Sequence, residues 1–62
     1  MNIPKLIKLT RVKEMTTLSK ATIYRQMKKG NFPKQVQLGE NASAWLEDEV
    51  LDYLNQRIQN RA

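Results

Sequence analysis

The chain has 62 residues, a formal net charge of +5, and neither cysteine nor histidine. One small domain near the lower size limit for unaided folding is what that length supports, and the two missing residue types exclude disulfides, zinc held by Cys or His, and histidine-based catalysis. No apolar run approaches the roughly 20 residues that span a bilayer, and Met1–Lys5 lacks the apolar core of a signal peptide, so the chain reads as cytoplasmic with no membrane partner.

Residues 1–8 form a short arm, in which Pro4 opposes early helix. Ile7 and Leu9 alternate with Lys8, so this segment is read as an extended strand added to the core. Thr10 is the next N-cap candidate, and Leu9, Val12 and Met15 recur at three-residue spacing, the buried stripe of a short helix. Thr16-Thr17-Leu18 leads directly to Ser19, whose hydroxyl can accept from a first-turn N–H and open a second helix over Ser19–Lys29. Leu18 and Ile23 stand where a hydrophobic staple would close, and Thr22 occupies the place of the acid in a capping box. Lys28 and Lys29 suit the negative end of the helix dipole, and Gly30 suits a left-handed stop. Two short helices joined so closely, the second basic, have the pattern of a helix-turn-helix over 10–29.

At 100° per residue, Ile23 and Met27 share one side of the second helix, and Ala21, Arg25 and Lys28 lie opposite. Thr22 and Lys29 flank that outward side, with Tyr24 at its border. A helix entering a DNA major groove needs this mixture of little bulk, an Arg fork for guanine and cations for phosphates. An amphipathic helix with solvated charges has the same composition. The bland readings make Ala21 a good helix former and pack Tyr24 at the core edge.

Asn31-Phe32-Pro33 then breaks the chain. Lys34–Leu38 alternates with Val36 and Leu38 facing inward, Gly39–Ala42 is turn-like, and Ser43-Ala44-Trp45 returns as a partner strand. Together 34–45 read as a two-stranded wing anchored by Phe32 and Trp45. The last helix, within 46–59, opens on Glu47-Asp48-Glu49 and carries Val50, Leu54 and Ile58, with Leu51 beside them, toward the core. Its three consecutive carboxylates point in different directions, so they make a helix start and no metal site. The fold class is mainly α with a small β-hairpin wing, a winged helix-turn-helix. Its core candidates are Leu9, Val12, Met15, Leu18, Ile23, Met27, Phe32, Val36, Leu38, Trp45, Val50, Leu54 and Ile58. They leave no cavity of several hundred Å3 for a small-molecule substrate, and nothing calls for a cofactor. Without a nucleophile–base arrangement, the chain does not read as an enzyme.

The charges separate along the chain. Residues 1–39 hold nine cations against Glu14 alone, net +8, and residues 40–62 hold Arg57 and Arg61 against five acids, net −3. One end should attract polyanions and the other repel them.

The series Leu9-Thr10-Arg11-Val12-Lys13-Glu14-Met15, Leu18-Ser19-Lys20-Ala21-Thr22-Ile23-Tyr24-Arg25, Gly30-Asn31-Phe32-Pro33-Lys34, Leu38-Gly39 and Trp45-Leu46-Glu47-Asp48-Glu49-Val50 resembles the AlpA family of prophage regulators. That family is similar to phage excisionases and, more distantly, to MerR-type regulators. The resemblance covers about residues 6–58 and implies a bacterial or phage-encoded protein that binds double-stranded DNA. Such proteins act as transcriptional regulators, as directionality factors for excision, or as both, with a site-specific integrase or RNA polymerase as possible protein partners. Carried over by position, Ser19–Lys29 becomes the recognition helix, with Lys20, Ala21, Thr22 and Arg25 toward base edges or nearby phosphates. Gly39–Ser43 becomes the wing tip at the minor groove. The implied DNA-contacting set is Ser19, Lys20, Ala21, Thr22, Tyr24, Arg25, Lys28, Lys29, Asn41 and Ser43. Thr17 departs from the pattern, standing where relatives often have glycine. The tip Glu40-Asn41-Ala42 also departs, because relatives often carry Arg there and Glu40 repels phosphate. The alternative reading is a small basic module that docks on an acidic protein, such as a receiver domain or an integrase.

Overall fold

The computed structural model describes residues 3–61, so the first two residues of the expected arm lie outside it. In chain order the elements are β1 (Leu6–Ile7), α1 (Leu9–Thr16), α2 (Lys20–Lys28), β2 (Val36–Gly39), β3 (Ala42–Leu46) and α3 (Glu47–Gln59). Three helices thus accompany a three-stranded antiparallel sheet in the order β1-β3-β2. The expected hairpin is present, and β1 extends it by pairing Leu6 with Leu46 and Ile7 with Trp45.

That pairing corrects the start of α1. Thr10 is not its N-cap, since the helix begins at Leu9 and the extended Lys8 stands at the cap without a side-chain bond. The Lys8 carbonyl already accepts from Val12 N–H at 3.0 Å. Strand pairing delivers the chain to Lys8 in extended form, and Leu9 packs against the core, so the helix starts before the local Thr signal.

α1 stops at Thr17, which adopts φ 61° and ψ 14° and donates its N–H to the Lys13 carbonyl. Among the described residues it is the one non-glycine with positive φ. The buried Thr16 side chain closes this corner from inside. Its Oγ1 donates to the Val12 carbonyl at 2.8 Å and accepts from Leu18 N–H at 3.2 Å.

The core consists of Ile7, Val12, Ile23, Phe32, Trp45 and Val50, with Leu9, Met15, Leu18, Met27, Tyr53 and Leu54 packed around it. Trp45 is fully buried. Its indole N–H donates to the Pro33 carbonyl at 3.1 Å, which ties the 31–33 break to the sheet. Burying an indole is favourable only when that donor has a partner.

Three expected core residues fall outside, and Leu51, read beside the α3 stripe, is exposed as well. Val36 is half-buried and is not among the residues packed on the core. Leu38 is 53% exposed and Ile58 55% exposed. Gln37 pairs with Ser43 and Gly39 with Ala42, so the register shifts between them and Leu38 has no partner of its own. A bulged residue leaves the alternation that would have turned it inward. Ile58 continues the Val50–Leu54 stripe, but among the described residues nothing covers it. Ile7, Ala44 and Tyr53 take up the vacated roles: the first two are buried and Tyr53 packs on Phe32.

Candidate nucleic-acid interface

α2 is held by local chemistry at both ends. Ser19 is its N-cap, and its Oγ accepts from Thr22 N–H at 3.2 Å. The same hydroxyl donates to Thr22 Oγ1 at 2.9 Å, a side-chain bond within the first turn. At the other end Gly30, at φ 80°, donates its N–H to Met27 O, and Asn31 N–H reaches Gln26 O. These paired backbone bonds form a Schellman stop.

Ile23 is fully buried and Met27 half-buried, so the inward face is as the periodicity expects. Outward, Lys20, Ala21, Arg25, Lys28 and Lys29 are exposed, and no residue of the helix is acidic. Arg25 leans back along the helix, its Nη2 within 3.4 Å of Thr22 Oγ1. Ser19, Thr22 and Arg25 therefore form one polar row, with the Ser19 hydroxyl engaged in capping. Tyr24 stands edge-on to Trp45 with ring centroids 6.3 Å apart, its body on the core and its rim open.

Asn41 is exposed at the β2–β3 turn, whereas Ser43 is half-buried and paired with Gln37 within the sheet. The ten residues read as a DNA-contacting set thus occupy two places. Eight lie on α2 or its cap, and Asn41 and Ser43 lie on the hairpin.

The structure also brings forward residues that sequence reasoning did not assign. Lys34, Gln35 and Gln37 share a surface groove with Tyr24, Met27 and Lys28 of α2. On the other flank, Arg57 of α3 shares a groove with Thr22 and Gln26. Arg57 lies 5.1 Å from the Tyr53 ring centroid, stacked as a cation–π pair. In the sequence Lys34 was one cation among nine, and Arg57 one of two cations in the acidic half. Two acids of α3, Glu49 and Asp52, line a separate cleft with Gly30–Pro33, and Glu47 pairs with Lys5. No helix is long and apolar enough to cross a membrane, and no group of acids suitable for a metal occurs, among the described residues.

Three helices, a small antiparallel sheet and a cationic second helix with one face open make an arrangement compatible with a winged-helix-like small DNA-binding domain. The family described as prophage CP4-57 regulatory protein (AlpA) matches residues 5–58, and the chain belongs to that family. It is also similar to the uncharacterized protein ORF88 of Enterobacteria phage P4, with 39% identity over 57 residues. That alignment covers 92% of this chain and 65% of the phage protein, so the chain spans just under two thirds of its relative's length. Membership places the chain among phage-type regulatory proteins, as the Leu-Ser-x-x-Thr-Ile-Tyr-Arg series and its companions implied.

Proposed function

We propose that this protein is a sequence-specific DNA-binding regulator of a prophage or integrated element, working in the bacterial cytoplasm where that DNA lies. α2 enters the major groove, and the 39–43 turn approaches the minor groove or its backbone. The observation that carries the reading is the outward face of α2, where Lys20, Ala21, Arg25, Lys28 and Lys29 are exposed while Ile23 pins the opposite face. Cations there neutralise phosphates and supply most of the affinity, and Arg25 supplies selectivity through a bidentate contact to guanine. To make that contact Arg25 exchanges its long bond to Thr22 for one to a base edge. The wing contributes less, because Glu40 sits at the tip beside Asn41. The regulatory act is control of transcription, assistance to an integrase during excision, or both. A module of this size buries about 600–1,000 Å2 on DNA, so tight occupancy comes from repeated sites or from an integrase or RNA polymerase neighbour.

Fluorescence anisotropy with duplexes from the element's promoter and attachment site, against a scrambled duplex and across salt concentrations, tests this. The expected result is a steep salt slope with preference for the native duplex. Arg25→Ala should then cost the native complex about 1–3 kcal/mol and the scrambled complex less. A steep slope without preference would reduce the protein to a generic polyanion binder. No binding at low salt would overturn the reading in favour of docking on an acidic protein.

A further inference from the structure

We propose that α2 is bracketed by two cations supplied from outside the helix, Lys34 on one flank and Arg57 on the other, and that they grip phosphates on opposite strands of the bound duplex. The proposal rests on the reading of α2 as the major-groove helix.

The geometry of α2 separates the two flanks. Tyr24 and Lys28 border the groove that holds Lys34, and Thr22 and Gln26 border the groove that holds Arg57. With 3.6 residues per turn these pairs lie roughly 160–200° apart around the helix. A major groove is walled by one phosphate strand on each side. A helix lying in it with a cation beside each flank therefore meets both strands.

Each cation is held in place by the fold. The backbone just before Lys34 is tied down twice, by the buried Phe32 ring and by the Trp45 N–H on the Pro33 carbonyl at 3.1 Å. Lys34 is thereby returned to the groove that Lys28 also lines, after the Gly30 stop. Gln35, in the same groove, keeps an enclosed Oε1 that has no donor among the described residues.

On the opposite flank, Arg57 rests on the Tyr53 ring, which is itself tilted against Phe32 with centroids 4.6 Å apart. Stacking uses one face of a guanidinium and leaves its N–H edge free for a phosphate. Neither groove is lined by a carboxylate. The cleft beside the 30–33 turn is lined by Glu49 and Asp52, and a phosphate strand would be repelled there. Cations without acids occur on the two sides that a duplex would touch.

The test compares wild type with Lys34→Ala, Arg57→Gln and Lys5→Ala by anisotropy over a salt series, on the native and scrambled duplexes. Lys5 is the control. It precedes β1 at the sheet edge away from β2, pairs with Glu47 at 3.5 Å, and its loss removes the same unit of charge. Thermal melting of each variant verifies that it folds, and Arg57→Met, which keeps an apolar stem and removes the charge, serves in place of Arg57→Gln if that variant does not. Lys34→Ala and Arg57→Gln should each weaken both duplexes about equally and lower the slope of log K against log salt by about one. Arg57→Lys should retain the slope, and Lys5→Ala should leave it unchanged. Methylphosphonate substitution on single strands should then show Lys34→Ala insensitive on one strand and Arg57→Gln insensitive on the other. Wild-type slopes in both variants, or both variants reporting the same strand, would overturn the bracket while the DNA reading stands. Absence of salt-dependent binding by wild type would overturn both together.

Discussion

The two short helices end in the same backbone conformation by opposite means. α2 stops at Gly30, at φ 80°, and a Cβ built there would meet nothing within 4 Å. α1 stops at Thr17, at φ 61°, with a β-branched side chain in a region that costs an L-residue roughly 1–2 kcal/mol. Around Gly30 the backbone bonds of the Schellman stop suffice. Around Thr17 the surroundings must enforce the conformation, through the Thr16 hydroxyl bonds, the half-buried Leu18 and the Thr17 hydroxyl donating to the Thr16 carbonyl. The strain therefore sits in the connection that sets α2 against α1, where a change of angle would re-aim the outward face.

Exchanging the two residues breaks the comparison most sharply. Gly30→Thr should lower stability by about 2 kcal/mol, read as a lower urea midpoint at unchanged slope. Because nothing crowds the new Cβ, that loss is conformational. If Gly30→Thr were neutral, positive φ would carry no cost in this protein and the account of Thr17 would fall with it.

The reverse exchange is smaller. Thr17→Gly should raise stability by about 1 kcal/mol, or about 4–8 °C in Tm for a domain of this size. The gain is less than the loss at Gly30, because the Thr17 hydroxyl bond disappears and glycine has more unfolded-state freedom to lose. A drop in Tm would show that the threonine's own bonds outweigh its backbone strain. Amide exchange around Thr16–Ser19 sharpens the result, since relief of strain should slow local opening there.

The same contrast explains what could be read from the residues alone. α2 was legible because each of its signals is local: Ser19 at the cap, Leu18 and Ile23 around the first turn, Gly30 at the stop. Phe32 and Trp45 were legible as anchors because they are the large aromatics at the break and in the returning strand. The start of α1 was not, since pairing of Leu6 with Leu46 lies forty residues away in sequence and overrides the Thr10 signal. Ile58 kept its helical period, but period says nothing about whether a partner surface reaches that far. The outward face of α2 followed from its spacing. The cations at its flanks did not, because Lys34 is positioned through Trp45 and Pro33, and Arg57 through the packing of α3 beside α2. Summing charge by segment assigned Arg57 to the acidic end, whereas folding carries it to the basic one.

Leu38 supplies the baseline against which the two stops are measured. It departs from the regular strand as Thr17 departs from the regular helix, yet its φ is not positive and its side chain is largely in solvent. The register shift between Gln37 and Gly39 releases it from pairing, so neither ladder bonds nor core contacts depend on its identity. Leu38→Thr should therefore change stability by less than about 0.5 kcal/mol, with an unaltered urea slope. A larger loss would mean that the bulge gathers apolar contacts its exposure does not reveal, and irregular backbone would then be no guide to where strain is stored. A near-zero change, beside a loss at Gly30 and a gain at Thr17, would assign the cost to left-handed backbone alone.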